Sequence, residues 1–225
     1  MSKKLFAACL VIAAFAVVPS FASANPILTE PTGTALGAGA TITATNVGET
    51  TLVTSTGTLS CSKDDLHGTL VSNATAAGVK GEITAAKFGG TGPLQSGAEA
   101  NECTGSNFFT PNTTITPNQS LPWCLEAAAA ADTFSVKGGK CGAATAISFK
   151  LDVTGVGTCE YTRAVTSPIT GTLVTDGGGA NENTAAIANT AFGLVSGPGL
   201  CPGEGKLNMR FSLETTTGAQ IFISS

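Results

Sequence analysis

One segment of this sequence has side chains of the types that hydrolases use. His67, the only histidine of the chain, follows Asp64 and Asp65, and with a serine these residues could form a catalytic triad. However, the sequence contains no Gly-x-Ser-x-Gly nucleophile elbow. The run Asp64-Asp65-Leu66-His67 is typical of a solvated turn between two strands. We therefore expect no catalytic residue in this segment.

Carboxylates at other positions could cleave a glycosidic bond without any local motif, because that reaction needs only two such groups at the right separation. The candidates lie in segments that we predict to be loops: Glu99, Glu102, Glu126, Asp132 and Glu160. The simpler interpretation is that they are exposed charges that keep the protein in solution. A hydrolase is therefore the least favoured of the functional alternatives.

Metal ligands are few in this sequence. Residues 176–183 offer carboxylate and amide oxygens, but their spacing is not that of a calcium-binding EF-hand. The single histidine and the absence of a Cys-x-x-Cys pair argue against zinc. We expect no metal and no cofactor.

The amino terminus is typical of a secretory signal peptide. Lys3 and Lys4 precede an apolar stretch at residues 5–18, and Ala22-Ser23-Ala24 supplies small residues for cleavage. Cleavage after Ala24 would remove Cys9 and leave 201 of the 225 residues, with 9 basic and 15 acidic side chains. We expect a secreted or cell-surface protein without a transmembrane anchor. Its acidity gives no reason to expect binding to nucleic acid.

Six cysteines remain after this cleavage, and an even number in an exported chain indicates disulfides. Two pairs have the same separation of 42 residues, Cys61 with Cys103 and Cys159 with Cys201. We favour the three bonds Cys61–Cys103, Cys124–Cys141 and Cys159–Cys201. The alternative keeps the first bond and forms Cys141–Cys159 and Cys124–Cys201.

The sequence predicts an all-β fold stabilised by these disulfides. Thr and Val suit pleated strands, and Gly, Asn and Pro mark turns. Many short strands with regularly spaced turns indicate an antiparallel sandwich or barrel, and we favour an Ig-like or jelly-roll-like β-sandwich. Only residues 125–131 have helical propensity, enough for a short turn of helix. The predicted strands are residues 40–45, 50–55, 57–62, 67–72, 79–88, 113–116, 133–137, 144–153, 157–162, 170–175, 184–194, 206–215 and 220–224.

The equal cysteine spacing and similar flanking residues indicate an internal repeat. The corresponding domain prediction is a signal peptide at 1–24, a first β unit at 25–120, a disulfide-tied connector at 121–143 and a second β unit at 144–225. The two units could also combine into one sandwich.

Trp123 is the only tryptophan and lies between Pro122 and Cys124. A lone tryptophan most often packs in the core of a β-sandwich, but it could instead contact a carbohydrate or an apolar ligand. Three Asn-x-Thr/Ser triplets begin at Asn73, Asn112 and Asn118 and match the acceptor pattern for glycans.

Several segments, taken in order, carry a resemblance to a known family: Cys61, Gly68-Thr69-Leu70-Val71, residues 81–90, Cys103, Leu121-Pro122-Trp123, Cys141-Gly142 and Gly157-Thr158-Cys159. Together they resemble the secreted alkane-oxidation-activator proteins of bacteria, the Pra-type activators. They cover about residues 57–160. The carboxy-terminal strands 211–215 and 221–224 also look like those of uncharacterised exported Thr/Gly-rich proteins of high-GC Gram-positive bacteria. Cys124 and the long segment after Cys159 depart from the activator pattern.

This resemblance implies an exported, non-enzymatic β protein linked to hydrocarbon use or surface growth, with no catalytic residues. We expect a structural or binding role at the cell surface or outside the cell, through a partner or through self-association. The alternative is an accessory factor or carrier for apolar molecules, with an apolar pocket near Trp123.

Overall fold

The computed structural model describes residues 27–74, 78–89, 101–109, 113–116, 120–128, 133–175 and 183–224. These residues form strands and turns and contain no helix, so none of them forms a helical membrane span. The strands of the described residues are β1 (Ile27–Thr29), β2 (Thr41–Asn46), β3 (Thr50–Thr54), β4 (Gly57–Cys61), β5 (Asp64–Ala74), β6 (Gly78–Phe88), β7 (Asn101–Gly105), β8 (Thr113–Thr116), β9 (Trp123–Ala128), β10 (Thr133–Gly138), β11 (Ile147–Val153), β12 (Gly157–Arg163), β13 (Ile169–Thr175), β14 (Asn183–Ser196), β15 (Glu204–Thr215) and β16 (Phe222–Ser224).

Fourteen of these strands form one closed antiparallel sheet, and β1 pairs separately with β16. The register shows that consecutive strands combine into eight passes across a barrel. Strands β2 and β3 both pair with β15 and together form the first pass. Strands β4 and β5 form the second pass, because β4 pairs with β3 and β5 pairs with β2. The following passes are β6 with β7, β8 with β9, β10 with β11, and β12 with β13, and the last two are β14 and β15. Each pass pairs with the one before it, and the eighth pairs with the first.

The passes are interrupted near their midpoints, and the interruptions lie at one level of the barrel, which we call the central belt. It contains residues 47–49, 62–63, 139–146 and 164–168. In β14 the register shifts between Ile187 and Thr190 at the same level. Such breaks let a long strand bend and change its twist. A barrel of long passes can therefore close around a packed interior.

The all-β antiparallel class with disulfide stabilisation is confirmed. In place of two separate sheets of Ig-like or jelly-roll-like connectivity, the structure has a single sheet that closes on itself. The physical reason is that every pass pairs with its neighbours in the chain, so the sheet grows as a meander until its last pass meets its first. Strands from both predicted β units share this sheet. The internal repeat and the division into units stay predictions.

Most of the apolar core lies inside the barrel, because side chains alternate between the interior and the outer face along each pass. A second, smaller cluster closes one end, where β1 and β16 lie across the barrel. Its buried residues are Leu28, Leu36, Leu70, Val79 and Ile221. The first described segment, residues 27–36, therefore contributes Leu28 and Leu36 to the interior.

The favoured disulfide pairing is confirmed, with bonds Cys61–Cys103, Cys124–Cys141 and Cys159–Cys201. Cys61–Cys103 joins adjacent passes at β4 and β7. Cys124–Cys141 ties β9 to the central belt. Cys159–Cys201 holds the turn between β14 and β15 against β12. Three disulfides agree with an oxidising compartment outside the cytosol, while the predicted signal peptide lies outside the described residues.

Two local predictions were wrong. Residues 125–128 are strand rather than helix, because β9 pairs on one side with β6 and on the other with β10, and this pairing overrides the helical propensity of alanine. Residues 64–67 are not a solvated turn but the first part of β5, paired with β2 and β6. Consequently Asp64 faces inward and is only 2% exposed.

Candidate functional site

A cavity of about 150 Å³ lies inside the barrel. It extends along the interior from the cluster beneath β1 and β16 towards the layer of Phe149 and Phe192. Its walls are almost entirely apolar and come from all eight passes. The larger side chains that line it include Leu52, Leu59, Leu66, Ile115, Trp123, Phe134, Phe149, Ile187, Phe192, Met209 and Phe211.

The cavity follows from the size of the barrel and the composition of its wall. A closed sheet of eight passes has an interior that side chains can fill or that can hold one small ligand. Here several inward positions carry small or medium side chains, among them Ala44 and Ala185. These residues leave the interior incompletely filled, and the space is lined by apolar side chains.

Leu28 of β1 lines one part of the cavity, and the side chain of Asn73 holds β1 in place. Its Oδ1 accepts a hydrogen bond from the Leu28 amide at 2.8 Å. Its Nδ2 donates to the carbonyls of Leu28 and Leu36, each at 2.8 Å. Asn73 therefore acts as a clamp, which accounts for its presence independently of the glycan pattern. Asn112 and Asn118 lie outside the described residues.

Aromatic side chains line another part of the cavity. Phe149 stacks on Tyr161 with ring centroids 5.5 Å apart and meets Phe192 edge-on at 5.0 Å. The Tyr161 hydroxyl donates to the Pro202 carbonyl at 2.9 Å, and burial raises the pKa of Tyr161 to about 12. The ring layer thus stays tied to the turn that contains Cys201.

Trp123 lies at the start of β9, is buried, and lines the cavity. Its indole Nε1 donates to Ser120 Oγ at 2.9 Å, and the neighbouring Cys124 is bonded to Cys141. The ring is therefore held by a hydrogen bond at its polar edge while other atoms border the apolar space. This placement combines the two interpretations of Trp123, core residue and ligand contact, and its ligand role stays a prediction.

The polar residues in the cavity lining are Thr50, His67, Thr69 and Glu82, and Asp64 lies beside Thr50 outside the lining. Thr50 lines the cavity and is 3% exposed. Burial raises the pKa of Asp64 to about 6, although the Thr50 hydroxyl and the Gly89 amide oppose that rise. Neither Thr50 Oγ1 nor Asp64 Oδ2 has a hydrogen bond of regular geometry to any described residue.

The other residues considered for chemistry are not assembled into a site. Within the described ranges, no three His, Cys, Asp or Glu residues converge as a metal site. Glu126 pairs with Lys80 at 2.9 Å and Lys137 at 3.7 Å, and its hydrogen bond from Lys80 is the main reason that its pKa is lowered. Glu160 accepts a hydrogen bond from Ser196. Glu102 lies in β7, far along the chain from these two strands.

Some of the predicted positions cannot be placed. Glu99, Asp132 and residues 176–182 lie outside the described residues. His67 lies in β5 and is half-buried. Thr50 could not be recognised from the sequence, because a threonine in an alternating strand gives no signal that its side chain is buried.

Comparisons with known proteins identify no relative: no protein-family model, no curated protein and no solved structure matches the chain. The geometry of the cavity is therefore the basis for assigning a function.

Proposed function

We propose that this protein is an exported, non-enzymatic binding protein that holds a small apolar molecule inside its closed sheet. In this role it serves as a carrier or accessory factor for apolar compounds. The observation that carries the proposal is the cavity of about 150 Å³ with almost wholly apolar walls.

The size and chemistry of the cavity support a small ligand. An apolar cavity of comparable size engineered into another protein stays dry and binds benzene or xenon. Filling it with an apolar molecule gains contacts that the wall side chains lack when the space is empty. The ligand class is therefore a hydrocarbon-like compound with about the bulk of one benzene ring.

A structural role through added strands has less support. Each pass of the closed sheet pairs on both sides, and β1 pairs with β16 on one side and contacts Ala35 and Asn73 on the other, so in the described residues little free strand edge remains outside β16. These strands have only three residues each. Strand addition to a partner would therefore bury few backbone hydrogen bonds.

Thermal unfolding with and without toluene tests the proposal. A ligand that binds only the folded state stabilises it by about 1.4 kcal/mol when present at ten times its dissociation constant. We expect stabilisation of the wild type and a much smaller effect in Ala185→Leu, whose added carbons occupy the cavity. Equal responses of the two proteins, or no response of the wild type, would contradict the proposal.

A further inference from the structure

Two glycines of the cavity wall occupy positions whose partners on the neighbouring strand face inward. Gly68 pairs with Ile83, and Gly81 pairs with Leu70. Directly opposite residues of paired strands lie on the same face of a sheet, and Ile83 and Leu70 both line the cavity. The wall therefore lacks two side chains at this level of β5 and β6, and the cavity borders the strand backbone there.

The backbone requires a glycine at only one of these two positions. A Cβ atom on Gly68 would lie 2.6 Å from the Glu82 carbonyl oxygen, which is too close for any side chain. A Cβ atom on Gly81 would lie 3.5 Å from its nearest neighbour, the Thr69 carbonyl oxygen, which is an ordinary van der Waals contact. Gly81 also has no positive φ. Since a glycine weakens the interior of a strand, and strand glycines often mark the close approach of a ligand, Gly81 points to a ligand rather than to the fold.

Gly81 lies between two parts of the cavity wall. Val79, Gly81 and Ile83 are successive inward positions of β6, and all three line the space. Val79 belongs to the smaller apolar cluster, whereas Ile83 packs against the main core. Four residues of extended strand span about 13 Å, whereas a sphere of 150 Å³ is about 7 Å across. The space is therefore elongated along β6.

The recess at Gly81 joins these two parts of the space. An apolar chain that extends from one part to the other must pass over residue 81, where it can approach the backbone because no side chain intervenes. A compact molecule fits within one part and does not cross this level. A polar ligand gains nothing here, because the wall is almost wholly apolar and would leave its polar groups without partners.

We propose that the ligand is a short, unbranched apolar chain that lies along β6 and passes over Gly81. This inference rests on the proposed function and narrows it from apolar compounds in general to linear ones. The chain has about six carbon atoms, since a cavity of this volume in another protein binds benzene. Gly81 is the residue that determines specificity for the shape of the ligand.

The matched probes are n-hexane and cyclohexane, which have the same number of carbon atoms and differ in shape. NMR titration followed at the Trp123 indole N–H measures both affinities. In Gly81→Val the new side chain fills the recess. We expect it to weaken n-hexane binding by about tenfold or more, because about two methylene groups lose their buried place, and to leave cyclohexane binding within about twofold. Gly81→Ala should have a smaller effect of the same kind.

Gly193→Val is the matched control. Gly193 lies in β14 outside the cavity wall, and an added Cβ would meet no atom within 4 Å. Both affinities should stay unchanged in this variant. Urea unfolding then separates a ligand role from a backbone role: Gly81→Ala should leave the midpoint unchanged or raise it, whereas Gly68→Ala should lower it. If Gly81→Ala lowers the midpoint as much as Gly68→Ala does, Gly81 serves the fold and the inference is overturned.

The outcomes separate the inference from the proposed function. If toluene binds but Gly81→Val leaves the ratio of the n-hexane and cyclohexane affinities unchanged, linear specificity is overturned and the apolar cavity stands. Tighter binding of cyclohexane than of n-hexane to the wild type would also overturn it. If none of the three hydrocarbons binds the wild type, the inference and the proposed function both fail.

Discussion

Replacing Asp64 by asparagine should remove a pH-dependent cost that the wild-type fold carries. Burial raises the pKa of this carboxyl group from 3.8 to about 6. Below about pH 3 the group is protonated in both the folded and the unfolded chain and makes no pH-dependent contribution. As the pH rises through 6, the folded protein must hold a buried charge that the unfolded chain exposes to water, so stability falls.

The difference of about 2.2 pH units corresponds to about 3 kcal/mol at 1.36 kcal/mol per unit. Asparagine keeps an oxygen that can accept from the Gly89 amide but has no charge to bury. Relative to the wild type, Asp64→Asn should therefore gain about 3 kcal/mol of unfolding free energy between pH 3 and pH 7.5. Other titrating groups are common to both proteins and cancel in this difference.

Equilibrium unfolding in urea, followed by the fluorescence of Trp123, measures this quantity at each pH. Asp65→Asn is the matched control, because Asp65 is a minor cause of the raised pKa of Asp64 and alternates to the other face of β5. It should change the pH dependence by less than about 1 kcal/mol. A stability difference between Asp64→Asn and wild type that does not vary with pH would refute the assignment of Asp64 as a buried, desolvated carboxylate.

Three further predictions concern packing around the cavity and can be checked by the same unfolding experiment. Ala185→Leu adds carbons where the cavity has space and should change the free energy of unfolding by less than about 1 kcal/mol. Ala86→Leu is the control, because Ala86 is buried away from the cavity wall, and it should destabilise the protein by about 1–3 kcal/mol. Equal costs of the two substitutions would argue against the cavity. Asn73→Ala removes three hydrogen bonds to the chain around β1 and should lower the free energy of unfolding by about 2–4 kcal/mol. It should also speed the exchange of toluene in NMR line-shape measurements. An unchanged unfolding midpoint would show that the contacts of Asn73 are not needed for stability. Tyr161→Phe removes the hydroxyl that donates to the Pro202 carbonyl and should lower the free energy of unfolding by about 1–2 kcal/mol. A neutral effect would exclude this hydrogen bond as a stabilising contact.

Sequence patterns predicted the strands well because alternation and turn residues act locally. The disulfide pairing was also predicted correctly, from the equal separation of 42 residues in Cys61–Cys103 and Cys159–Cys201. In the fold, Cys61 and Cys103 lie on adjacent passes. What alternation could not predict is closure of the sheet. Whether β15 pairs with β2 or stops at an edge depends on the summed twist and bending of all passes, and neither strand signals its distant partner.

The polar features of the interior were hidden for a related reason. Asp64 looked like part of a turn because aspartate favours turns, and its inward direction became clear only once β5 was in register with β6. Likewise Asn73 matched a glycan pattern, while its actual contacts join residues 45 and 37 positions apart. Such roles depend on the tertiary fold, which leaves no local pattern in the sequence.

Whether a small apolar molecule enters the barrel is tested most directly by NMR of Trp123, whose indole N–H gives a single resonance because the chain has one tryptophan. Toluene bound in the cavity should shift this resonance in a saturable manner and show nuclear Overhauser contacts to the Trp123 ring, and Ala185→Leu should weaken both effects. If the resonance stays unchanged at saturating toluene, or if toluene contacts appear only at outer-face residues, the interior is not a ligand site.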